Sequence, residues 1–109
     1  VGGQLKIGAS VHALPEAIEA EINGADWVVF GPVYDTPSKR GFGPPQGLDK
    51  LARVATAMKI PVIAIGGITP ERVREVRRAG AQGVAVISAI LTADSPAAAT
   101  RRFLEALAA

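Results

Sequence analysis

Apolar residues fall along this chain in short unbroken blocks separated by longer stretches of mixed character. Four blocks read as strands, at residues 5–11, 27–30, 61–65 and 83–87. None alternates polar with apolar. Continuous runs of this length predict strands buried on both faces, as in a parallel sheet covered by helices. Between the blocks the apolar period lengthens. Leu14, Ala17, Ile18 and Ala20 mark a helix that starts at Leu14-Pro15 and stops at Asn23-Gly24. Residues 48–58 repeat Leu and Val at helical spacing. Thr69-Pro70-Glu71-Arg72 has the composition of a helix start, with Thr69 as cap, Pro70 in the first turn and Glu71 at the positive dipole end. Val73 and Val76 then face inward and Gly80 closes the helix. Ser95-Pro96 opens the last one, which carries Phe103, Leu104 and Leu107.

The predicted order is β-α-β-α-β-α-β-α. Two junctions repeat, Asn23-Gly24-Ala25-Asp26 and Ala79-Gly80-Ala81-Gln82. In each, Gly ends a helix and Ala leads into a strand. Four such units make half of a (β/α)8 TIM barrel, whose full size is about 250 residues. A doubly wound sheet is the alternative. The expectation is one partial barrel domain over residues 1–109, with half of the strands and helices of a full barrel. The chain opens on Val1 rather than Met, which points to a piece of something longer.

Composition narrows the function classes. A net charge of +2 without Lys/Arg runs or interleaved aromatics argues against nucleic acid. With no cysteine there is no disulfide framework and no thiolate nucleophile or metal site. No stretch approaches the ~20 apolar residues of a bilayer span, and a cytoplasmic protein is expected.

Candidate chemistry gathers in the βα connections. Gly66-Gly67 follows one strand and precedes a helix, so backbone N–H groups can meet an anion there. Taken alone, the pair also reads as a tight turn. Ile87-Ser88 forms a second small-residue turn after the next strand, and in barrels the loops after the last two strands often share a phosphate. The connection between Gly31 and Gly47 is the longest and carries Thr36-Pro37-Ser38-Lys39. Two hydroxyls and a lysine suit phosphate oxygens, although a solvated polar loop has the same composition. His12, the single histidine, lies just past the first strand, where it serves either as a general acid or base or as a hydrogen-bonded structural residue. Ser10 beside it is a phosphate donor or merely a small strand-end residue. Asp26 sits at the opposite end and reads as structural. Arg72, Arg74, Arg77 and Arg78 read as a solvated helix face paired with Glu71 and Glu75.

These pieces occur in a recognisable order. Ile7-Gly8-Ala9-Ser10-Val11-His12, Gly24-Ala25-Asp26-Trp27-Val28-Val29-Phe30-Gly31-Pro32-Val33-Tyr34, Thr36-Pro37-Ser38-Lys39, Pro61-Val62-Ile63-Ala64-Ile65-Gly66-Gly67-Ile68 and Gly83-Val84-Ala85-Val86-Ile87-Ser88-Ala89-Ile90 together resemble the thiamine phosphate synthase family and its thiazole tautomerase relatives. The Gly-Gly turn is shared with other phosphate-binding barrels; the Thr36 to Lys39 element beside it is more specific.

The resemblance implies a transferase of thiamine biosynthesis that joins hydroxymethylpyrimidine pyrophosphate to thiazole phosphate and releases pyrophosphate. It implies that Thr36, Pro37 and Ser38 line the thiazole phosphate site, that Gly67, Ile87 and Ser88 hold its phosphate, and that Ser10 and Lys39 contact the pyrimidine pyrophosphate. In the tautomerases, which act on a thiazole carboxylate phosphate, a histidine at the position of His12 is catalytic. The family's Mg2+ ligands belong to its N-terminal half, so no metal ligand is expected in this chain. Either a longer enzyme or pairing of half-barrels in a homo-oligomer would complete the site. A non-catalytic phosphate-binding half-barrel is the reading from another class.

Overall fold

Parallel strands alternate with helices through residues 6–34, 44–86 and 95–108, the residues described in a computed structural model of the chain. The elements are β1 (Gly8–Val11), α1 (Leu14–Ile22), β2 (Trp27–Phe30), α2 (Gly47–Ala57), β3 (Val62–Ile65), a 3-10 turn (Pro70–Arg72) leading into α3 (Val73–Arg78), β4 (Gly83–Ala85) and α4 (Pro96–Ala108). The strands stand side by side in chain order, β1-β2-β3-β4, all parallel. A doubly wound sheet reverses its strand order at a switch point. No reversal occurs among these strands, which leaves the singly wound half-barrel.

Local signals set the helix ends. Ser95 Oγ accepts the Ala98 N–H at 3.3 Å, as an N-cap should. At the start of α1 the Glu16 carboxylate reaches back to the His12 N–H at 3.2 Å. The two repeated junctions have the same geometry. Ala25 N–H donates to Ala20 O at 3.0 Å and Ala81 N–H to Val76 O at 3.4 Å, both across a glycine at positive φ. This is the six-to-one bond of a Schellman C-cap, which satisfies a carbonyl the helix leaves free.

The strands bury one face only, contrary to the two-sided burial expected from their unbroken apolar runs. Val11, Phe30 and Ala64 form one row across the sheet, and Val28 and Val62 another, all facing the helices and all buried. Against them pack Ala17, Leu51, Val54, Val73, Val76 and Phe103. The neighbouring row, Ser10-Val29-Ile63-Gly83, points to the other side and is half-buried or exposed. Both faces are apolar in composition, and only the helix-covered one is closed here. The last helix is also one-sided: Phe103 is buried, whereas Leu104 is 61% exposed rather than part of the core.

At the N-terminal end of the sheet, carboxylates take up backbone donors. Asp26 Oδ2 accepts the Ile7 N–H at 2.7 Å, which bears out its structural reading. Glu21 Oε1 accepts from Lys59 N–H at 2.6 Å and Ile60 N–H at 3.0 Å, tying the end of α1 to the entry of β3.

Candidate functional site

The four strands stop level with one another. Val11 lies opposite Phe30, Phe30 opposite Ala64, and Ile65 opposite Ala85. His12, Gly31, Gly66 and Val86 therefore leave the sheet along a single edge. It is the C-terminal edge, where parallel α/β sheets and barrels bind ligands.

The chain leaving β2 crosses this edge towards β3. Gly31 N–H donates to Val11 O at 3.4 Å, Val33 N–H to Ile65 O at 2.9 Å, and Tyr34 N–H to Gly66 O at 3.0 Å. The returning chain binds the same strip. Gln46 N–H donates to Pro32 O at 2.7 Å and Gly47 N–H to Val33 O at 3.0 Å. The outgoing end of the long connection is thus held against the end of β3, beside the Gly66-Gly67 turn, and its returning end is held on that outgoing strip.

That turn is packed tightly from both sides. Gly66 has φ +103° and Gly67 φ +67°. A Cβ on Gly66 would lie 2.6 Å from Pro32 Cα, and one on Gly31 only 2.2 Å from the Ile65 carbonyl oxygen. Gly66 therefore does more than bend the chain: together with Gly31 it lets two βα connections touch backbone to backbone.

Helix geometry contributes less here than the sequence suggests. The first turn is 3-10, α3 has six residues, and Thr69 makes no capping bond to the backbone. Its hydroxyl instead hydrogen-bonds the Glu71 carboxylate, which is held below its ordinary pKa first by its own backbone N–H and then by Thr69. A macrodipole summed over so few peptides is small, so an anion at this turn would depend on turn backbone N–H groups rather than on a helix dipole.

Arg72 is exposed like the other arginines of its helix, but it is not free. Its Nη1 donates to Gly67 O at 2.6 Å, and its guanidinium carbon lies 4.3 Å from the centroid of the Tyr34 ring. Glu75, expected to pair along its helix, accepts the Tyr34 hydroxyl instead. Burial pushes the Tyr34 phenol up to about 12, and the hydrogen bond and charge of Glu75 add to the rise against the opposing charge of Arg72.

The folded chain thus keeps a proton that an unfolded tyrosine loses near pH ~10. The stabilisation is fully present below pH ~10 and is lost as pH rises through about 12. In denaturant unfolding, the advantage of the wild type over Tyr34→Phe is expected to shrink across that window. A difference that stays constant with pH would contradict it.

Of the residues singled out in the sequence, Ser10, His12 and Gly67 reach this edge. Ser10 is exposed on the open face of β1. His12 is exposed just beyond it, with Nδ1 3.8 Å from Glu16 Oε2. Thr36, Pro37, Ser38, Lys39, Ile87 and Ser88 lie outside the described residues. The sequence reading gave Tyr34 no role and placed Arg72 and Glu75 on a helix face rather than at this edge. The available signal was slight: the single tyrosine of the chain lies two residues beyond the Gly31-Pro32 that follows a strand.

Among the described residues no group of three His, Asp or Glu side chains converges to hold a metal. Glu16 lies by His12, Glu75 is taken by Tyr34, and Asp26 and Glu21 are at the other end of the sheet. Nor, among the described residues, is any helix long and apolar enough to cross a membrane.

Comparison with known proteins agrees with this architecture. The family described as thiamine monophosphate synthase matches residues 1–90. The chain is 52% identical over 101 residues to a thiamine-phosphate synthase of Salinibacter ruber, covering 93% of this chain and 44% of the relative. It is 46% identical over 107 residues to a thiamine-phosphate synthase of Salinispora arenicola, covering 98% and 51%. The solved thiamine phosphate pyrophosphorylase from Pyrococcus furiosus superposes with a TM-score of 0.88 at 40% identity, over 98% of this chain and 50% of that one. The chain spans about half the length of the curated relatives it matches.

Proposed function

We propose that this chain, which belongs to the thiamine monophosphate synthase family, carries the phosphate-binding half of a thiamine-phosphate synthase active site. The observation that carries this reading is the seam at the C-terminal edge. There the connection bearing Thr36 to Lys39 is tied to the Gly66-Gly67 turn through the Val33–Ile65 and Tyr34–Gly66 bonds.

In this reading Gly67, Ile87 and Ser88 hold the phosphate of thiazole phosphate through backbone and hydroxyl donors, and Thr36, Pro37 and Ser38 line its site. Ser10 and Lys39 meet the pyrophosphate of hydroxymethylpyrimidine pyrophosphate. The thiazole ring nitrogen forms a bond to the pyrimidine methylene carbon, whose bond to oxygen breaks with its electron pair going to pyrophosphate. Negative charge grows on that leaving group, so a fixed ammonium such as that of Lys39 favours the transition state over the bound substrates. Magnesium is held, in this reading, by the other half of the barrel, and the setting is cytoplasmic. The half-covered row Ser10-Val29-Ile63-Gly83 is the surface on which that other half packs, whether from a longer polypeptide or from a second copy.

Calorimetry with thiazole phosphate, followed by assay for thiamine phosphate with both substrates and Mg2+, tests the assignment. Binding by this chain is expected, with turnover once the barrel is complete. Absence of binding in the completed barrel would reject it. Isomerisation of a thiazole carboxylate phosphate that vanishes in His12→Ala would move the assignment to a tautomerase. Binding without any conversion would leave a non-catalytic module.

A further inference from the structure

Tyr34, Arg72 and Glu75 stand at the meeting point of three segments: the chain leaving β2, the turn leaving β3, and the helix that follows it. Tyr34 is held at three places. Its N–H donates to Gly66 O at 3.0 Å, its ring lies under Arg72, and its hydroxyl donates to Glu75. Arg72 in turn holds Gly67 O at 2.6 Å.

The consequence follows from peptide geometry. A trans peptide is planar, so the Gly67 carbonyl and the Ile68 N–H point in opposite directions from one plane. A donor fixed on Gly67 O therefore fixes the direction of the Ile68 N–H. Two consecutive glycines at positive φ would otherwise leave that plane free to swing, because glycine has the largest conformational freedom to lose. Freedom lost before the ligand arrives is not charged against its affinity.

We propose that Tyr34, Arg72 and Glu75 are positioning residues for the anion site. Arg72 sets the Gly67-Ile68 peptide, and Tyr34, held between Arg72 and Glu75, couples that peptide to the base of the connection carrying Thr36 to Lys39. None of the three needs to touch the ligand. The inference rests on the reading of Gly66-Gly67 as a phosphate site.

Arg72→Lys keeps the charge but loses the planar group that stacks and donates at once. Tyr34→Phe keeps the ring but loses the bond to Glu75. Calorimetric titration of the protein with thiazole phosphate should show affinity about tenfold weaker in Arg72→Lys and about threefold weaker in Tyr34→Phe. The double variant should lose less than the product of the two, because the residues act as one unit.

Amide NMR supplies a readout that a general loss of stability would not move. The Gly67 and Ile68 signals should shift in Arg72→Lys while those of β1 and α1 stay in place. Variant affinities within twofold of a wild type that binds would overturn the positioning role. So would Gly67 and Ile68 signals that do not move. A wild type that fails to bind thiazole phosphate even in the completed barrel would instead remove the underlying site reading.

Discussion

Gly66→Ala is expected to destabilise the chain by about 3 kcal/mol or more and to abolish the phosphate binding proposed for the C-terminal edge. Two costs combine. An alanine at φ +103° occupies a region that L-residues avoid, at about 1–2 kcal/mol. Its Cβ would also fall 2.6 Å from Pro32 Cα, 2.7 Å from Pro32 Cβ and 3.1 Å from Val33 N. Two of these three are backbone atoms, and none is the far end of a flexible side chain. Relief requires the strip from Gly31 to Tyr34 to lift off β3, breaking the Val33–Ile65 and Tyr34–Gly66 bonds. Gly24→Ala is the matched control: φ is +94°, yet nothing lies within 4 Å of the added atom. Urea unfolding of the two variants separates backbone strain, which they share, from the seam, which belongs to Gly66 alone. Equal losses in both would show that the close approach has no energetic weight.

Phe30→Ala is expected to cost about 3–5 kcal/mol, the range for deleting a buried aromatic ring. Phe30 is fully buried at the end of β2, in the row between Val11 and Ala64 that the helices cover. A domain of about 110 residues has only ~5–15 kcal/mol in hand, and a sheet with one half-open face has less surface buried than most. Loss of the cooperative unfolding transition, followed by circular dichroism, is therefore the expected result. Leu104→Ala should change stability by no more than about 0.5 kcal/mol, because that side chain is 61% exposed. A comparable loss at Leu104 would mean that α4 packs by another face.

How much of this was legible beforehand depends on the range of the interaction. The helix starts at Leu14-Pro15 and Ser95-Pro96, the paired Gly24 and Gly80 junctions, and the inward Val73 and Val76 all follow from residues within a few positions of one another, and all are observed. The second strand has the expected bounds, whereas β1, β3 and β4 come out shorter, β4 for instance as Gly83–Ala85. The βα order, the Gly66-Gly67 turn and the family resemblance were likewise readable, because turn chemistry and motif order are local properties.

Which sheet face closes was not readable. Val28 and Val29 differ in burial but not in polarity, so no period distinguishes them. The role of Asp26 was expected in outline, whereas that of Glu21, some 39 positions from its partner Ile60, was not. Arg72 and Glu75 show the limit most clearly. By spacing alone they belong to a solvated helix face, and only the return of β3 beside β2 puts Tyr34 between them. Sequence by itself determined the units, their order and the Gly66-Gly67 turn, since each depends on the conformational preferences of a few adjacent residues. Tertiary structure alone decided the face that is buried and the contacts of Arg72 with Gly67 and Tyr34, since these depend on segments that only the parallel sheet brings together.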